Sequence, residues 1–184
     1  MKTYLAEILP ALESTLEQVD PEETGRLLDA IMGAGSIFIV GRGRTGMIAG
    51  TFAMRLMHLG FRTFVVGELS TPRIRSEDLL IACSGSGEVR MVHQMVRIAS
   101  QAKAATVLVT YNPKSAIARS VDHIVTIPAQ AERADGAGSS LVAFPLGSKF
   151  EESLLLYLDI LVLMLMRRLG ISEKEMAERH TNLE

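Results

Sequence analysis

The chain has 184 residues, of which 48% are hydrophobic and 22% charged, and its formal net charge is −2. This composition is ordinary for a soluble globular protein, and the length fits one domain spanning residues 1–184. Because the chain has no basic stripe and no run of Lys and Arg, we expect no nucleic-acid partner.

The apolar segments do not indicate a membrane span or a secretory signal. The longest apolar run, residues 154–166, includes Asp159 and is too short to cross a bilayer. A glutamate and a proline interrupt the amino-terminal apolar stretch, which a signal peptide would keep continuous. The single cysteine, Cys83, lies in an apolar run, which favours a small buried residue in a reducing compartment. We therefore expect a cytoplasmic protein with no membrane partner.

Two helices are predicted in the first 35 residues. Apolar residues recur at helical spacing from Leu5 to Leu16. Asp20 followed by Pro21 is typical of the start of a second helix, which continues to Gly33.

From residue 36 onward, short apolar runs alternate with helical stripes. Runs that are apolar throughout are typical of parallel strands covered on both faces, so the sequence predicts an α/β fold. A short helix is predicted at Ser115–Arg119, and the irregular stretch 128–147 is predicted to be a surface loop. The predicted strands are Ile37–Val40, Thr63–Val66, Leu79–Cys83, Thr106–Thr110 and His123–Ile127.

A long helix is predicted from Lys149 to about Leu169, and it is apolar nearly all round. Such a helix needs cover on more than one face, which a domain of this size rarely supplies. A subunit interface is the expected second cover, so we predict a homo-oligomer. Ser172 and Glu175 then predict a capping box that opens a short last helix.

Two Gly/Ser loops each follow a predicted strand: Gly41–Gly46, and the segment Ser84-Gly85-Ser86-Gly87-Glu88. A strand that turns into a helix through small residues presents backbone N–H groups at the positive end of the helix dipole. Two such loops predict a phosphorylated small molecule at the carboxyl edge of a parallel sheet. The candidate phosphate-binding residues are Gly43, Arg44, Thr45, Ser84, Gly85, Ser86 and Gly87.

Each loop has an alternative interpretation. The first matches the dinucleotide fingerprint GxGxxG, with Glu68 about 20 residues further on. A second phosphate-type loop, the hydroxyl of Thr45 and the two preceding helices weigh against a dinucleotide. Ser84 and Ser86 could be helix caps, although one serine would satisfy a cap.

Two further side chains have both an ordinary and a functional interpretation. Glu151 is the fourth residue of Ser148-Lys149-Phe150-Glu151, which fits a capping box. His180 on composition alone would be a solvent-facing histidine. The other histidines have no metal-ligand spacing with each other or with Cys83, so no metal site is predicted.

The segments GRGRTG, FAMRLMHLGF, VVGE, SGSGE, PLGSKFEESLLLYLD and RHTNLE together resemble the 6-phospho-3-hexuloisomerase family of the sugar isomerase (SIS) domain superfamily. The resemblance covers nearly the whole chain. It implies a three-layer α/β sandwich with a five-stranded parallel sheet flanked by helices. It also implies a homotetramer and no metal or organic cofactor.

The activity that this resemblance implies is the interconversion of 3-hexulose 6-phosphate and fructose 6-phosphate through a cis-enediol, a step of formaldehyde fixation by the ribulose monophosphate route. The family's phosphate-binding hydroxyls correspond to Thr45, Ser84 and Ser86, its catalytic glutamate to Glu151, and its terminal histidine to His180.

Val89 departs from the family pattern, because it stands where the family usually has threonine. Two other functions remain open from the sequence: a phosphosugar-sensing SIS module, and another phosphosugar aldose–ketose isomerase.

Overall fold

The structure, a computed structural model, describes residues 1–129 and 144–183. Its strands are β1 (Ile37–Val40), β2 (Thr63–Val65), β3 (Leu79–Cys83), β4 (Ala105–Thr110) and β5 (His123–Thr126). Its α-helices are α1 (Lys2–Glu17), α2 (Pro21–Gly33), α3 (Gly43–His58), α4 (Arg90–Gln101), α5 (Ser148–Leu169) and α6 (Glu173–Glu178). Short 3₁₀ helices lie at Ala118–Ser120 and Pro145–Gly147.

The five strands form one parallel sheet in the order β2-β1-β3-β4-β5. The strand β1 therefore has its successor β2 on one side and β3 on the other. Where the strand order reverses in this way, the connections after the two neighbouring strands run to opposite sides of the sheet and leave a crevice beyond the carboxyl ends of these strands. In this sheet the crevice lies beyond β1 and β3, which precede the two Gly/Ser loops.

Alternating side chains of the strands build two separate cores. Ile39 and Ile81 belong to a cluster with α2, α3 and α5, whereas Phe38 and Leu80 belong to a cluster with α4. Because β1 and β3 are buried on both faces, their sequences are apolar throughout. The predicted three-layer α/β sandwich, with a five-stranded parallel sheet and two amino-terminal helices, is confirmed.

The predicted helix starts at Asp20 and Ser172 are confirmed. Asp20 accepts a hydrogen bond from the N–H of Glu22, and Ser172 forms a reciprocal capping box with Glu175. The predicted strands are also found, although the predicted ends of β2 and β5 and the start of β4 each differ from the observed ones by one residue.

The predicted helix at Ser115–Arg119 is wrong, since only a 3₁₀ turn forms at Ala118–Ser120. The N–H of Ala116 donates to the Glu88 carboxylate and the N–H of Ile117 to the Gly87 carbonyl, so this segment is bonded to the loop after β3. Within the segment, one hydrogen bond of α-helical spacing forms, from the N–H of Arg119 to the Ser115 carbonyl at 3.3 Å. A surface loop is predicted at 128–147, and its positions 130–143 lie outside the described residues.

The helix α5 has one buried face and one exposed apolar face. Leu154, Leu158 and Leu161 are buried in the core. On the outer side, four apolar residues between positions 155 and 163 remain 40–55% exposed: Leu155, Leu156, Ile160 and Leu163. Over residues 1–129 and 144–183, none of the helices has the length and apolar content needed to cross a bilayer.

Candidate active site

A cavity of about 230 Å³ lies beyond the carboxyl ends of β1, β3 and β4. Segments far apart in sequence meet in it: the loop after β1, the loop after β3, and the start of α5. Its lining residues include Arg42, Thr45, Ser84, Gly85, Ser86, Val89, Tyr111, Leu146, Phe150 and Glu151. The structure thus brings the predicted phosphate-binding hydroxyls and the predicted catalytic glutamate into one cavity.

The loop after β3 is held in place by the loop after β4. Thr110 Oγ1 donates a hydrogen bond to the Gly85 carbonyl at 2.7 Å, and Asn112 Nδ2 donates to the Ser86 carbonyl at 3.2 Å. These bonds turn the carbonyl groups of the loop towards the protein. Because its conformation is fixed without a ligand, the loop loses little conformational entropy when a ligand binds.

Several hydrogen-bonding groups of this loop are unused. Ser84 is only 3% exposed, and its hydroxyl has no hydrogen-bond partner among the described residues. The N–H groups of Gly85 and Ser86 likewise make no hydrogen bond within the described part of the chain. An unpaired buried hydroxyl is costly, and here the unused groups surround a cavity, so they point to a polar ligand.

The two serines do not cap the following helix, so that alternative interpretation is wrong. The helix α4 begins at Arg90, and its N-cap residue, Val89, makes no side-chain cap bond. Ser86 Oγ accepts a hydrogen bond from the N–H of Glu88 at 3.3 Å within the loop itself. The Ser86 hydroxyl hydrogen therefore remains available to a ligand.

Packing within the fold explains the first and last glycines of the GxGxxG motif, Gly41 and Gly46. A Cβ atom on Gly41 would lie 2.9 Å from the Cα of Gly46, so these two backbones can approach only as glycines. Glu68 does lie near this loop, in a separate cavity of about 570 Å³ that Arg42 and Gly43 also line. Gly41 and Gly46 are thus accounted for without a dinucleotide.

Gly43 and Gly87, both predicted to bind phosphate, do not line the cavity. Gly87 has φ of +66°, and a Cβ atom there would overlap the side chain of Ser115. Its role in the structure is to let the loop after β3 pass close to Ser115.

The predicted capping box of Ser148 and Glu151 is wrong. The helix α5 begins at Ser148 itself, after Gly147 with φ of +83°, and its start has no side-chain cap bond. This left-handed turn puts Ser148 inside the first helical turn, where its hydroxyl is buried without a partner among the described residues. The Glu151 carboxylate is consequently not engaged in capping and lines the cavity.

Glu151 forms an ion pair with Arg44, whose Nε lies 3.1 Å from Glu151 Oε2. The side chain of Glu151 is 16% exposed and that of Arg44 is 57% exposed. Arg44 is not among the residues that line the cavity, whereas Arg42 is. The structure therefore separates the two arginines of the first loop.

Five cavity residues were missed by the sequence analysis: Arg42, Tyr111, Leu146, Gly147 and Phe150. Arg42 lies inside the Gly41–Gly46 motif, so its position was a signal that could have found it. Tyr111 and Phe150, whose rings meet edge to face at 5.7 Å, come together only once the sheet order is known. Leu146 carries no sequence signal.

His180 lies away from this cavity. Its ring stacks on that of His58 with centroids 4.9 Å apart, and both residues line a different cavity of about 540 Å³. Arg179 Nη1 donates to the His58 carbonyl at 3.0 Å, which fixes the tail to the end of α3. Thr45 lies in the first turn of α3, about 20 Å from His58 at a rise of 1.5 Å per residue. Within one chain, the structure does not bring His180 and Glu151 together.

Cys83 lies at the inner end of the cavity and is buried, as predicted. Burial raises the pKa of its thiol to about 12, because the thiolate would be poorly solvated there. The thiol is therefore neutral at physiological pH and unsuited to act as a nucleophile. Among the described residues, no three His, Cys, Asp or Glu side chains are grouped as a metal site would require.

Comparisons with known proteins identify the family of this chain. The SIS domain family matches residues 30–146. A 3-hexulose-6-phosphate isomerase from Bacillus subtilis (strain 168) is 39% identical over 186 residues, covering 100% of this chain and 100% of that protein. A second protein of that name, from Methanocaldococcus jannaschii, is 39% identical over 162 residues, covering 85% of this chain and 82% of that protein.

A solved structure is similar over the full length of both chains. It is a hypothetical protein from Methanococcus jannaschii, for which a molecular function of 3-hexulose-6-phosphate isomerase was inferred. Its TM-score to this chain is 0.86 at 31% identity, with 100% of each chain covered.

Proposed function

Since this chain belongs to the SIS domain family, we propose that it is an isomerase that interconverts 3-hexulose 6-phosphate and fructose 6-phosphate through a cis-enediol. The observation that carries the proposal is the meeting of a carboxylate, Glu151, with an unused set of anion-binding groups in one cavity. Such a pairing suits a substrate that has a phosphate at one end and a carbon-bound proton to be moved at the other.

The phosphate end of the proposed site is formed by Thr45, Ser84, Gly85 and Ser86. Thr45 lies in the first turn of the 16-residue helix α3, where the helix dipole favours an anion. Ser84 and Ser86 contribute hydroxyl groups, and the loop contributes the N–H groups of Gly85 and Ser86, which make no hydrogen bond with any residue that the structure describes. Arg42, which lines the same cavity, adds a positive charge. Val89 lines it without a hydroxyl.

We predict that Ser84→Ala affects stability and binding in opposite directions. Removing a buried hydroxyl that has no partner among the described residues should leave the melting temperature unchanged or raise it. Loss of one hydrogen bond to a charged phosphate should cost ~1.5–3 kcal/mol of binding free energy, so the affinity for fructose 6-phosphate should fall about 10- to 150-fold. Calorimetry and thermal melts measure the two effects, and Ser86→Ala should weaken binding similarly.

Ser153→Ala is the matched control. Ser153 also has a buried hydroxyl without a partner among the described residues, but it does not line the cavity. Its substitution should leave the affinity unchanged. Unchanged affinity in both Ser84→Ala and Ser86→Ala would remove this loop as the phosphate site.

At the reacting end, Glu151 is proposed to move the proton. The carboxylate removes the proton from carbon 2 of 3-hexulose 6-phosphate, and the cis-enediol forms. The proton is then returned at carbon 3, and the hydroxyl proton of oxygen 2 is transferred to oxygen 3, which gives fructose 6-phosphate. Because oxygen 6 carries the phosphate, the 3-ketose cannot close a five-membered ring through it and can enter in the open-chain form. The phosphate supplies binding energy remote from the reacting carbons.

We further propose a homo-oligomer, a tetramer by family resemblance, that works in the cytoplasm. The exposed apolar face of α5 supports association, because four neighbouring residues of 40–55% exposure on one helix need cover. His180 is proposed to assist Glu151 from a neighbouring subunit, since its own chain holds it at the far end of α3.

One assay tests the proposed activity directly. The purified protein should convert 3-hexulose 6-phosphate into fructose 6-phosphate, detected by a coupled reaction that oxidises the product. Binding of fructose 6-phosphate without any turnover would contradict the isomerase and favour a module that senses sugar phosphates.

A further inference from the structure

We propose that Arg44 is a catalytic residue at the reacting end of the site, where its guanidinium stabilises the enediolate oxygen, and is not a ligand of the phosphate. This inference rests on the proposed isomerase function. It replaces the assignment that the sequence predicts for Arg44, because the structure pairs this side chain with Glu151.

The geometry leaves most of the guanidinium free beside the carboxylate. Arg44 Nε contacts Glu151 Oε2 at 3.1 Å, and the two Nη nitrogens make no hydrogen bond with any described residue. A guanidinium has five N–H donors in a rigid fork, so four remain to bind another oxygen next to the carboxylate. Glu151 Oε1 is likewise left for the substrate.

Charge makes the phosphate a poor partner for Arg44. The Glu151 carboxylate already neutralises the guanidinium at contact distance. A phosphate placed against this pair would also lie close to a carboxylate of the same sign, which disfavours it. Arg42 has no such partner among the described residues and lines the cavity that holds the phosphate loop. Arg42 is therefore the better partner for the phosphate.

The proton transfer supplies the anion that Arg44 fits. When the bond between carbon 2 and its hydrogen breaks, the proton passes to Glu151, which becomes neutral. The electron pair of that bond forms the double bond between carbons 2 and 3, and the carbonyl electron pair moves onto oxygen 3. One negative charge thus leaves Glu151 and appears on an oxygen two bonds away from the carbon under attack. A guanidinium that touches Glu151 can stay paired with that charge throughout the step.

Arg44→Ala tests the inference, with Arg42→Ala as the matched variant of the same loop. Arg44→Ala should lower kcat by ~10²–10³-fold, as expected for one lost oxyanion donor, with little change in KM. The inhibition constant of inorganic phosphate should stay at the wild-type value. Arg42→Ala should instead raise both KM and the inhibition constant of phosphate.

Chemical rescue separates a direct role from a structural one. Guanidinium chloride at tens of millimolar should restore part of the kcat of Arg44→Ala, because the Arg44 side chain is 57% exposed and leaves an accessible space. Sodium chloride at the same concentration should not. If Arg44→Ala is unfolded by circular dichroism, Arg44→Lys replaces it, and its kcat should still fall because an ammonium group lacks the guanidinium fork.

Three outcomes would overturn the inference. Wild-type kcat in both Arg44 variants excludes a catalytic role. A raised inhibition constant for phosphate with unchanged kcat returns Arg44 to the phosphate end. If the wild-type protein shows no turnover, the proposed function is overturned and this inference with it. If the wild-type protein is active and either of the first two results is found, only the inference is overturned.

Discussion

Glu151→Gln should lower the rate of isomerisation by ~10²–10⁴-fold while the protein stays folded and still binds fructose 6-phosphate. Glutamine keeps the size of the side chain, and its amide oxygen can still accept a hydrogen bond from Arg44, but it cannot take up a proton. The lost ion pair contributes little to stability because Arg44 is largely exposed. Thermal melts, calorimetry and the coupled assay measure the three properties separately.

Glu152→Gln is the matched control for this prediction. Glu152 is the next residue of α5, is similarly half-buried and does not line the cavity. Its substitution should leave the rate near that of the wild type. Near-wild-type turnover by Glu151→Gln would overturn the assignment of the base.

The other carboxylates near the loops are less well placed than Glu151 to replace it as the base. Glu88 accepts a hydrogen bond from the N–H of Ala116 at 2.8 Å, so it is engaged in holding the loop after β4. Glu68 lines the separate cavity beside β1 and β2. Neither carboxylate lines the cavity that contains Ser84 and Ser86.

The fold could be predicted from the sequence because its determinants are local. Runs such as Leu79–Cys83 are apolar throughout, which is typical of a strand buried on both faces. Asp20-Pro21 and Ser172-Glu175 define helix starts by hydrogen bonds within a few residues. In these segments the local pattern and the contacts with the rest of the chain agree.

Predictions failed where a contact distant in sequence replaced the local one. The pattern of Ser148 and Glu151 is that of a capping box, but the turn at Gly147 and the ion pair with Arg44, 107 positions earlier, override it. Similarly, the N–H groups of residues 116 and 117 donate to Glu88 and Gly87 of the loop after β3, and only a 3₁₀ turn follows. Nothing in a short sequence window reports such partners.

The candidate site was predictable in part for the same reason. Each Gly/Ser loop signals an anion site by itself, which identified Thr45, Ser84 and Ser86. Tyr111 enters the cavity because β4 lies next to β3, with Val109 opposite Cys83 in the register. The strand order that makes them neighbours is a property of the whole sheet.

The final prediction is that the active site is shared between subunits, with Glu151 from one copy and His180 from another. His180 should be needed for catalysis although about 20 Å of helix α3 separates it from Thr45 in its own chain. His180→Gln and Glu151→Gln should each be nearly inactive alone. When the two variants are co-expressed in equal amounts, about a quarter of the sites in a symmetric oligomer should contain both native residues and recover activity.

The co-expressed variants carry different affinity tags, so that mixed oligomers can be purified and assayed against each parent. Recovery to about a quarter of the wild-type rate supports the shared site, because two defective chains can form a complete site only across an interface. An inactive His180→Gln with no recovery would overturn the sharing, and near-wild-type turnover by His180→Gln would overturn its catalytic role. The same mixed oligomers report on the proposed association of subunits, since without a stable interface neither variant could complement the other.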